Sequence, residues 1–419
     1  MSATVENKKQ AFLANFTEDK NTVNVAKQEA LKALENLEFP TTREEYWKYT
    51  RVGKIVNQKY PSASLTQVKN VEKYSINNLD TYCAVFINGI FSEEQSNIGN
   101  CEGVTISTLA QAADQAKQYY GNVSRHKTQF FAALNAAYSA NGIFVKVEKN
   151  TAVDKPIHVI HITNVDNVAV NTRNIFVVED NAQATFINTF DTEQGNSFTN
   201  AAAEIYVKSG AHVDSYLIQN ESEASKQVNA IDVIQEANST YSCTTLTFDG
   251  GLVRNNHNVD VKGQGCETNL FGLYLTDRDQ HVDNHTIIDH IEPNCESNEF
   301  YIGVMDDKST AVFNGKVFVR AEAQKTNAFQ QNKNMLLTDN ASAYSKPELE
   351  IYADDVKCSH GSTTGQVDEE AVYYLRSRGV SETNARKMMI RAFANEILEN
   401  IKIDALRDTM ETKIDQRFI

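Results

Sequence analysis

Between Asn141 and Thr364 the chain repeats itself about every 28 residues, and that period limits its fold more than any other feature. Ala182, Ala211, Ser239, Cys266 and Glu296 each open a run of β-branched and aromatic residues, at successive spacings of 29, 28, 27 and 30. Ile205, Ile231, Val259 and Ile287 fall roughly half a period away, at spacings of 26, 28 and 28. A drifting repeat of this length is the mark of a solenoid, because one unit cannot bury its apolar face alone whereas stacked units share a continuous core. Short runs such as Ile157–Ile162, Ile175–Val178, Ala184–Thr189, Val213–Ile218, Thr244–Phe248 and Leu270–Leu275, parted by Gly, Asn, Asp and Ser, read as its strands. Only five prolines occur in 419 residues, as stacked interior strands require, since each backbone N–H there must donate. The expectation is a parallel β-helix, or β-solenoid, over residues 141–364. The spacing leaves open whether one period is a single wide coil or two narrow ones, and a β-sandwich is the competing reading of the same strands.

Helical patterns flank this core. From Lys8 to Leu37 the apolar residues Phe12, Phe16, Val23, Ala26, Ala30, Leu34 and Leu37 recur at helical intervals. Pro40 ends that run, and Thr41 with Glu44 forms a capping-box signature for a short helix through Glu45–Tyr49. Tyr82–Ile87 reads as a strand, and Leu109–Ala137 as a second helical stretch. After Thr364, Asp368-Glu369-Glu370 opens a helix that Gly379 closes, and Ser381 caps the next, on which Ala385, Met388, Met389, Ala392, Phe393, Ile397 and Ile401 are expected on one face. The predicted organisation is a mostly helical region 1–140, a β-helix core 141–364 and a C-terminal helical subdomain 365–419.

Charge and missing motifs narrow the function. A formal net charge of -15 opposes binding to nucleic acid or to an anionic membrane. No apolar run reaches membrane-spanning length and the N-terminus lacks the apolar stretch of a signal peptide, so a soluble cytoplasmic protein is expected. Six cysteines without a CxxC pair suggest neither a disulfide framework nor a zinc ribbon. GxxxxGK[ST] and a strand–GxGxxG–helix are missing, so no nucleotide is expected on this chain, and without GxSxG or HExxH the common hydrolase sites lack a starting point.

Three groups of ligand-type residues remain. Asp277, Asp279, His281, Asp283, His285, Asp289 and His290 crowd one window, readable as a divalent-ion site or as a solvated turn followed by one strand face. Cys266 and Cys295 lie one repeat apart and are expected as buried neighbours on adjacent coils. Cys358 and His360 alternate across Ser359, so on a strand both project to one face. Thiolate and imidazole suit zinc, copper or an iron–sulfur cluster, yet two ligands do not complete a site; either a partner supplies the rest or the pair is structural.

The stretch 332–398, through PELEIYADDVKCSHG and YYLRSRG, closely resembles the C-terminal signature of the SufB/SufD family of iron–sulfur cluster assembly proteins. Phe313-Asn314-Gly315-Lys316, Ala323-Gln324-Lys325-Thr326, the segment Glu44–Ile55 and Ala133-Leu134-Asn135-Ala136-Ala137 extend the likeness over most of the chain. Length, the Trp47-Lys48-Tyr49-Thr50 segment and the lack of CxxC favour the SufD branch over the SufB branch. The resemblance implies a right-handed β-helix between helical regions, and a non-catalytic scaffold that pairs with a SufB-like subunit and binds a SufC-like ATPase. It implies a transient iron–sulfur cluster at the SufB-facing interface, with His360 as a metal ligand and Cys358 beside it. It further implies that the ATPase docks on the C-terminal helices, where Arg378 and Arg386 surround the apolar residues Met388, Met389 and Phe393. A homodimer in the absence of the SufB-like subunit stays open, because an exposed solenoid end seeks a partner edge. Two other functions fit the bare pattern: a β-helix carbohydrate-active enzyme using Asp277, Asp279 and Asp283, or a self-contained metal-binding protein using His281–His290.

Overall fold

The computed structural model describes residues 3–17, 25–61, 63–139, 141–193 and 195–417. Four strands lead in: β1 (Tyr82–Ile87), β2 (Ile90–Phe91), β3 (Val104–Thr108) and β4 (Ile143–Val147). They are followed by β5 (Ile157–Thr163), β6 (Ala169–Val178), β7 (Gln183–Thr192), β8 (Phe198–Val207), β9 (His212–Asn220), β10 (Lys226–Gln235), β11 (Thr240–Asp249) and β12 (Leu252–Val261). The series ends with β13 (Glu267–Thr276), β14 (His281–His290), β15 (Glu296–Met305), β16 (Thr310–Val319), β17 (Asn327–Leu336), β18 (Ser342–Ile351) and β19 (Lys357–Gln366). From β5 onward, odd strands stack in one sheet and even strands in the other, each parallel to the strand two elements away. This is a parallel β-solenoid in which one period is a single coil of two strands, and the parallel ladders rule out the sandwich.

A repeated corner explains the period. Asn181, Asn238 and Asn294 have positive φ, Gly210 and Gly265 fill the equivalent place, and each is followed by a small buried residue. A left-handed residue turns the chain tightly and a small one fits the inside of the bend. At Gly265 there is also no room for more, since a Cβ would stand 2.5 Å from Asn238 Oδ1. Ala182, Ala211, Ser239 and Cys266 accordingly occupy one column, each preceding a strand whose first residues are in register: Gln183, His212, Thr240 and Glu267. The next member is Cys295, not Glu296, which pairs with Glu267 one position further on. In the other sheet the stacked column is Ile205, Val233, Val259 and Ile288. The expected Ile231 is two residues out and keeps its inward face; Ile287 is one residue out and points the other way, so it is only half-buried.

Both outer faces of the solenoid are covered, which is why strands such as β8 are buried along their whole length. Helices α1 (Ala3–Leu13), α2 (Val25–Asn36) and α5 (Phe130–Tyr138) lie over the even sheet, where Phe12, Leu34 and Phe131 join Phe198, Val228 and Leu252 in one apolar cluster. The continuous helix expected from Lys8 to Leu37 is thus two helices, and Val23 lies outside the described residues. The stretch Leu109–Ala137 is likewise only partly helical: α4 (Ala113–Ala116) and α5 are separated by turns. The four-residue helix α3 (Gly53–Val56) comes between α2 and α4. The Thr41/Glu44 signature forms, with Glu44 Oε1 accepting from the Thr41 N–H at 2.8 Å, but starts only a 3₁₀ turn, Glu45–Trp47.

On the odd sheet lie α6 (Glu369–Ser377), α7 (Glu382–Leu398) and α8 (Asp404–Arg417), packed on Ile218, Leu246, Leu273 and Ile302. Asp368 caps α6 by accepting from the Glu370 and Ala371 N–H groups, Gly379 at φ +91 closes it, and Ser381 caps α7. The face α7 buries carries Ala385, Ile390, Ala394, Ile397 and Leu398, followed by Ile401; Met388 and Ala392, expected on the same face, are exposed.

Candidate functional site

The last coil differs from those before it. β19 pairs with β17 through Cys358↔Ala328 and His360↔Gln330, and no described strand pairs with its other edge. Ala328 and Gln330 are buried within the solenoid, so Cys358 and His360, stacked on them, face the lumen at its open end. Cys358 is half-buried against the core, while His360 has no coil above it and is exposed. Partial burial pushes the Cys358 thiol above its usual range, so it holds its proton at neutral pH until a metal or cation draws it off. On the terminal strands and the turn beyond them, Phe329 on the opposite face of the odd sheet, Ile351 and Tyr352 are exposed, and Tyr344 is partly covered by stacking on Tyr49. A groove of about 540 Å³ on the outer face of these strands is lined mainly by Asn298, Phe300, Phe329, Gln331 and Ser359, the columns that alternate with that of His360. Among the described residues no three His, Cys, Asp or Glu side chains converge to hold a metal ion. Cys358 and His360 thus offer two donors with the remaining positions open to whatever covers this end.

The window Asp277–His290 is built for packing. Asp283, expected on a solvated turn or an exposed strand face, is buried, 2.5 Å from Arg254 Nη1, and accepts from the Thr50 hydroxyl. Arg254 is itself 1 % exposed, donates to the Tyr46 carbonyl at 2.8 Å and lies 4.3 Å from the Trp47 ring centroid. Burial, the largest single effect, works to raise the Asp283 carboxyl, but Arg254, His285, His281 and the Thr50 hydroxyl together outweigh it and hold the group below the usual range. Burial also keeps His281 and His285 neutral. Asp277 is held by Arg278 and Arg417, and Asp289 takes both arms of Arg320. These three carboxylates are therefore committed to guanidinium partners: the Asp283–Arg254 pair pins the segment Tyr46–Thr50 to the solenoid wall, and Asp277 holds Arg417 at the end of α8. Cys266 and Cys295 are buried neighbours as expected, both thiols donating to the Gly263 carbonyl at 3.1 and 3.2 Å.

On the C-terminal helices, Met388 is half-exposed, whereas Met389 and Phe393 pack partly against the core. Arg378 donates to the Tyr374 hydroxyl and covers that ring, and Arg386 bridges α6 and α7 through Glu369 at 2.7 Å. The most exposed aromatics here, Tyr373 and Tyr374, escaped sequence reasoning, which sought an apolar stripe rather than two adjacent tyrosines on a helix of mixed character. Gln330 and Glu299 escaped it too, being polar residues within a strand pattern that carry no motif.

Comparison with known proteins gives consistent findings. The model described as "SUF system FeS cluster assembly, SufBD core domain" matches residues 161–393, and "SufBD protein N-terminal region" matches residues 8–159. An iron–sulfur cluster assembly SufBD family protein of Synechocystis is 31% identical over 98% of this chain and 94% of its own length. The iron–sulfur cluster assembly protein SufD of Escherichia coli is 30% identical over 93% of this chain and 92% of its own. SufD of Bacillus subtilis is 22% identical, covering 97% of both chains.

Proposed function

The chain belongs to the SufB/SufD family of iron–sulfur cluster assembly proteins, and on that premise we propose that it is a non-catalytic scaffold subunit of a cytoplasmic SUF-type complex. Its open coil pairs with a SufB-like subunit, and its C-terminal helices, through Arg378, Arg386, Met388 and the margins of Met389 and Phe393, dock a SufC-like ATPase. The observation that carries this reading is the pair Cys358 and His360 at a solenoid end whose strand edge is free. The cluster is cargo here. Imidazole nitrogen and thiolate sulfur are both iron donors, and a coordination set completed across an interface can be opened again when the subunits part. The nascent cluster is thereby held during assembly and released afterwards, with the opening driven by nucleotide turnover on the ATPase. The same free edge is available to a second copy of this chain when the SufB-like subunit is missing.

Co-expression with SufB-like and SufC-like proteins and anaerobic purification tests the proposal. A three-protein complex is expected, and His360→Ala should leave its yield and melting temperature unchanged while lowering iron and sulfide per complex severalfold. Cys358→Ser should lower them less. Normal cluster content in His360→Ala removes His360 from the donor set, and failure of the three chains to copurify removes the scaffold assignment.

A further inference from the structure

Beneath His360 the lumen turns polar in an ordered way. Glu299 on β15, Gln330 on β17 and His360 on β19 are successive register partners, so they rise in one column at the roughly 5 Å spacing of neighbouring strands. One step further in, the same column holds Leu270. Glu299 and Gln330 are 2 % and 3 % exposed, and Gln330 Nε2 donates to Glu299 Oε2 at 2.6 Å. With its nitrogen turned toward Glu299, the amide of Gln330 keeps a buried oxygen that has no hydrogen-bond partner among the described residues. Gly315 on the adjoining sheet leaves the space this amide fills, since any Cβ there would collide with Gln330 Nε2. A buried acceptor without a donor is costly, and the next side chain in its column is an imidazole, which in its neutral form carries one N–H and one bare nitrogen.

We infer that Glu299 and Gln330 are positioning residues for His360: Glu299 fixes the Gln330 amide, and the Gln330 oxygen receives one ring N–H of His360, leaving the other nitrogen bare toward the open end. An imidazole that binds metal works best when its second nitrogen is anchored in this manner, because the anchor selects the tautomer and the ring orientation together. The inference rests on the reading of His360 as an iron donor; what the isolated chain already holds is the stacked register of the three residues and the unpaired Gln330 oxygen. Burial raises the Glu299 carboxyl to about 7; in either protonation state it retains an oxygen that accepts from the Gln330 amide N–H, so the anchor does not depend on its charge.

The test uses the full-length chain labelled with 15N-histidine, whose two-bond 1H–15N spectra distinguish the two neutral tautomers, His360 being assigned by its loss in His360→Gln. A single tautomer at His360 is expected at pH 8. Gln330→Leu should convert it to a mixture and lower iron per assembled complex at least threefold, and Glu299→Leu should do the same, whereas Glu299→Gln, which still accepts from Gln330, should preserve the single tautomer. Gly315→Ala crowds the same amide from the facing sheet and should reproduce the mixture in case Gln330→Leu does not fold. An unchanged His360 tautomer in folded Gln330→Leu or Gly315→Ala overturns the inference. If the tautomer shifts while His360→Ala retains its iron, the donor role fails and the positioning contact stands.

Discussion

The coils that carry Arg254 and Asp283 and the coil that carries Cys358 and His360 are made of the same ten-residue strands in unbroken parallel register, yet they treat polar side chains in opposite ways. In the middle, the guanidinium and carboxylate are sealed beneath Tyr46, Trp47 and Thr50 and paired with each other. At the end, a thiol and an imidazole are stacked on the core and left uncovered. The ladder is therefore not what separates wall from site; the cover is. A solenoid supplies each coil with a neighbour on both sides except at its ends, and among the described residues no strand continues the odd sheet beyond β19, so its edge and the side chains stacked on it stay accessible.

This contrast can be broken at three points. Asp283→Ala leaves Arg254 buried with no counter-ion, and denaturant unfolding should show a loss of about 3–5 kcal/mol, the range found when one member of a buried ion pair is removed. His360→Ala should change the same measurement by no more than about 1 kcal/mol, the net worth of one hydrogen bond to the Gln330 oxygen at an end that water can reach. Equal losses would mean that the end is as tightly built as the middle.

The second point is the buried acid between the two regions. Because the folded-state pKa of Glu299 is raised to about 7 from an ordinary value of 4.5, folding binds a proton more tightly than the unfolded chain does. Its burial costs nothing below about pH 4.5; the cost grows as pH rises and is complete above about 7. Glu299→Gln removes the ionisation, so relative to the native chain it should gain on the order of 2 kcal/mol of stability between pH 5 and pH 8. Asp232 and Glu221, also buried and raised to about 7, contribute in the same sense and remain in both proteins. A pH-independent difference between native and Glu299→Gln would place the carboxylate in contact with a charge that the folded chain supplies.

The smallest effect sharpens the edge itself. In β19 the N–H groups of alternate residues starting at Lys357 point to β17, so those of Cys358, His360, Ser362 and Thr364 face the free side. Ser362→Pro deletes one of those donors without touching the ladder. Capture of the SufB-like subunit should fall at least tenfold, about 1.4 kcal/mol, while thermal unfolding of the isolated chain is nearly unchanged. Undiminished capture would show that the partner meets this end through side chains alone.

The ladders decided that one period is one coil and that the face shared by Cys358 and His360 is the lumen, but from the order of its residues alone the chain determined its repeat period, its helical flanks, the common strand face of that pair, and its family. Each of these is a local or periodic property: a left-handed Asn or Gly before a small residue bends the chain once per coil, and alternation sends residues 358 and 360 to one face. Only the tertiary structure decided which residues stack. Spacings of 29 and 30 differ by one residue, and in a strand one residue exchanges the two faces, so Glu296 could be mistaken for Cys295 and Ile287 for Ile288 until whole ladders fixed the register. The cover was hidden for a related reason. Arg254 meets Trp47, and Asp283 meets Thr50, across more than two hundred positions of sequence, and nothing in a linear pattern tells a charge that faces solvent from one that a distant segment will seal. The column of Glu299, Gln330 and His360 became visible only when three successive coils were laid on one another, because the physical link between them is vertical and the sequence is read along the coil.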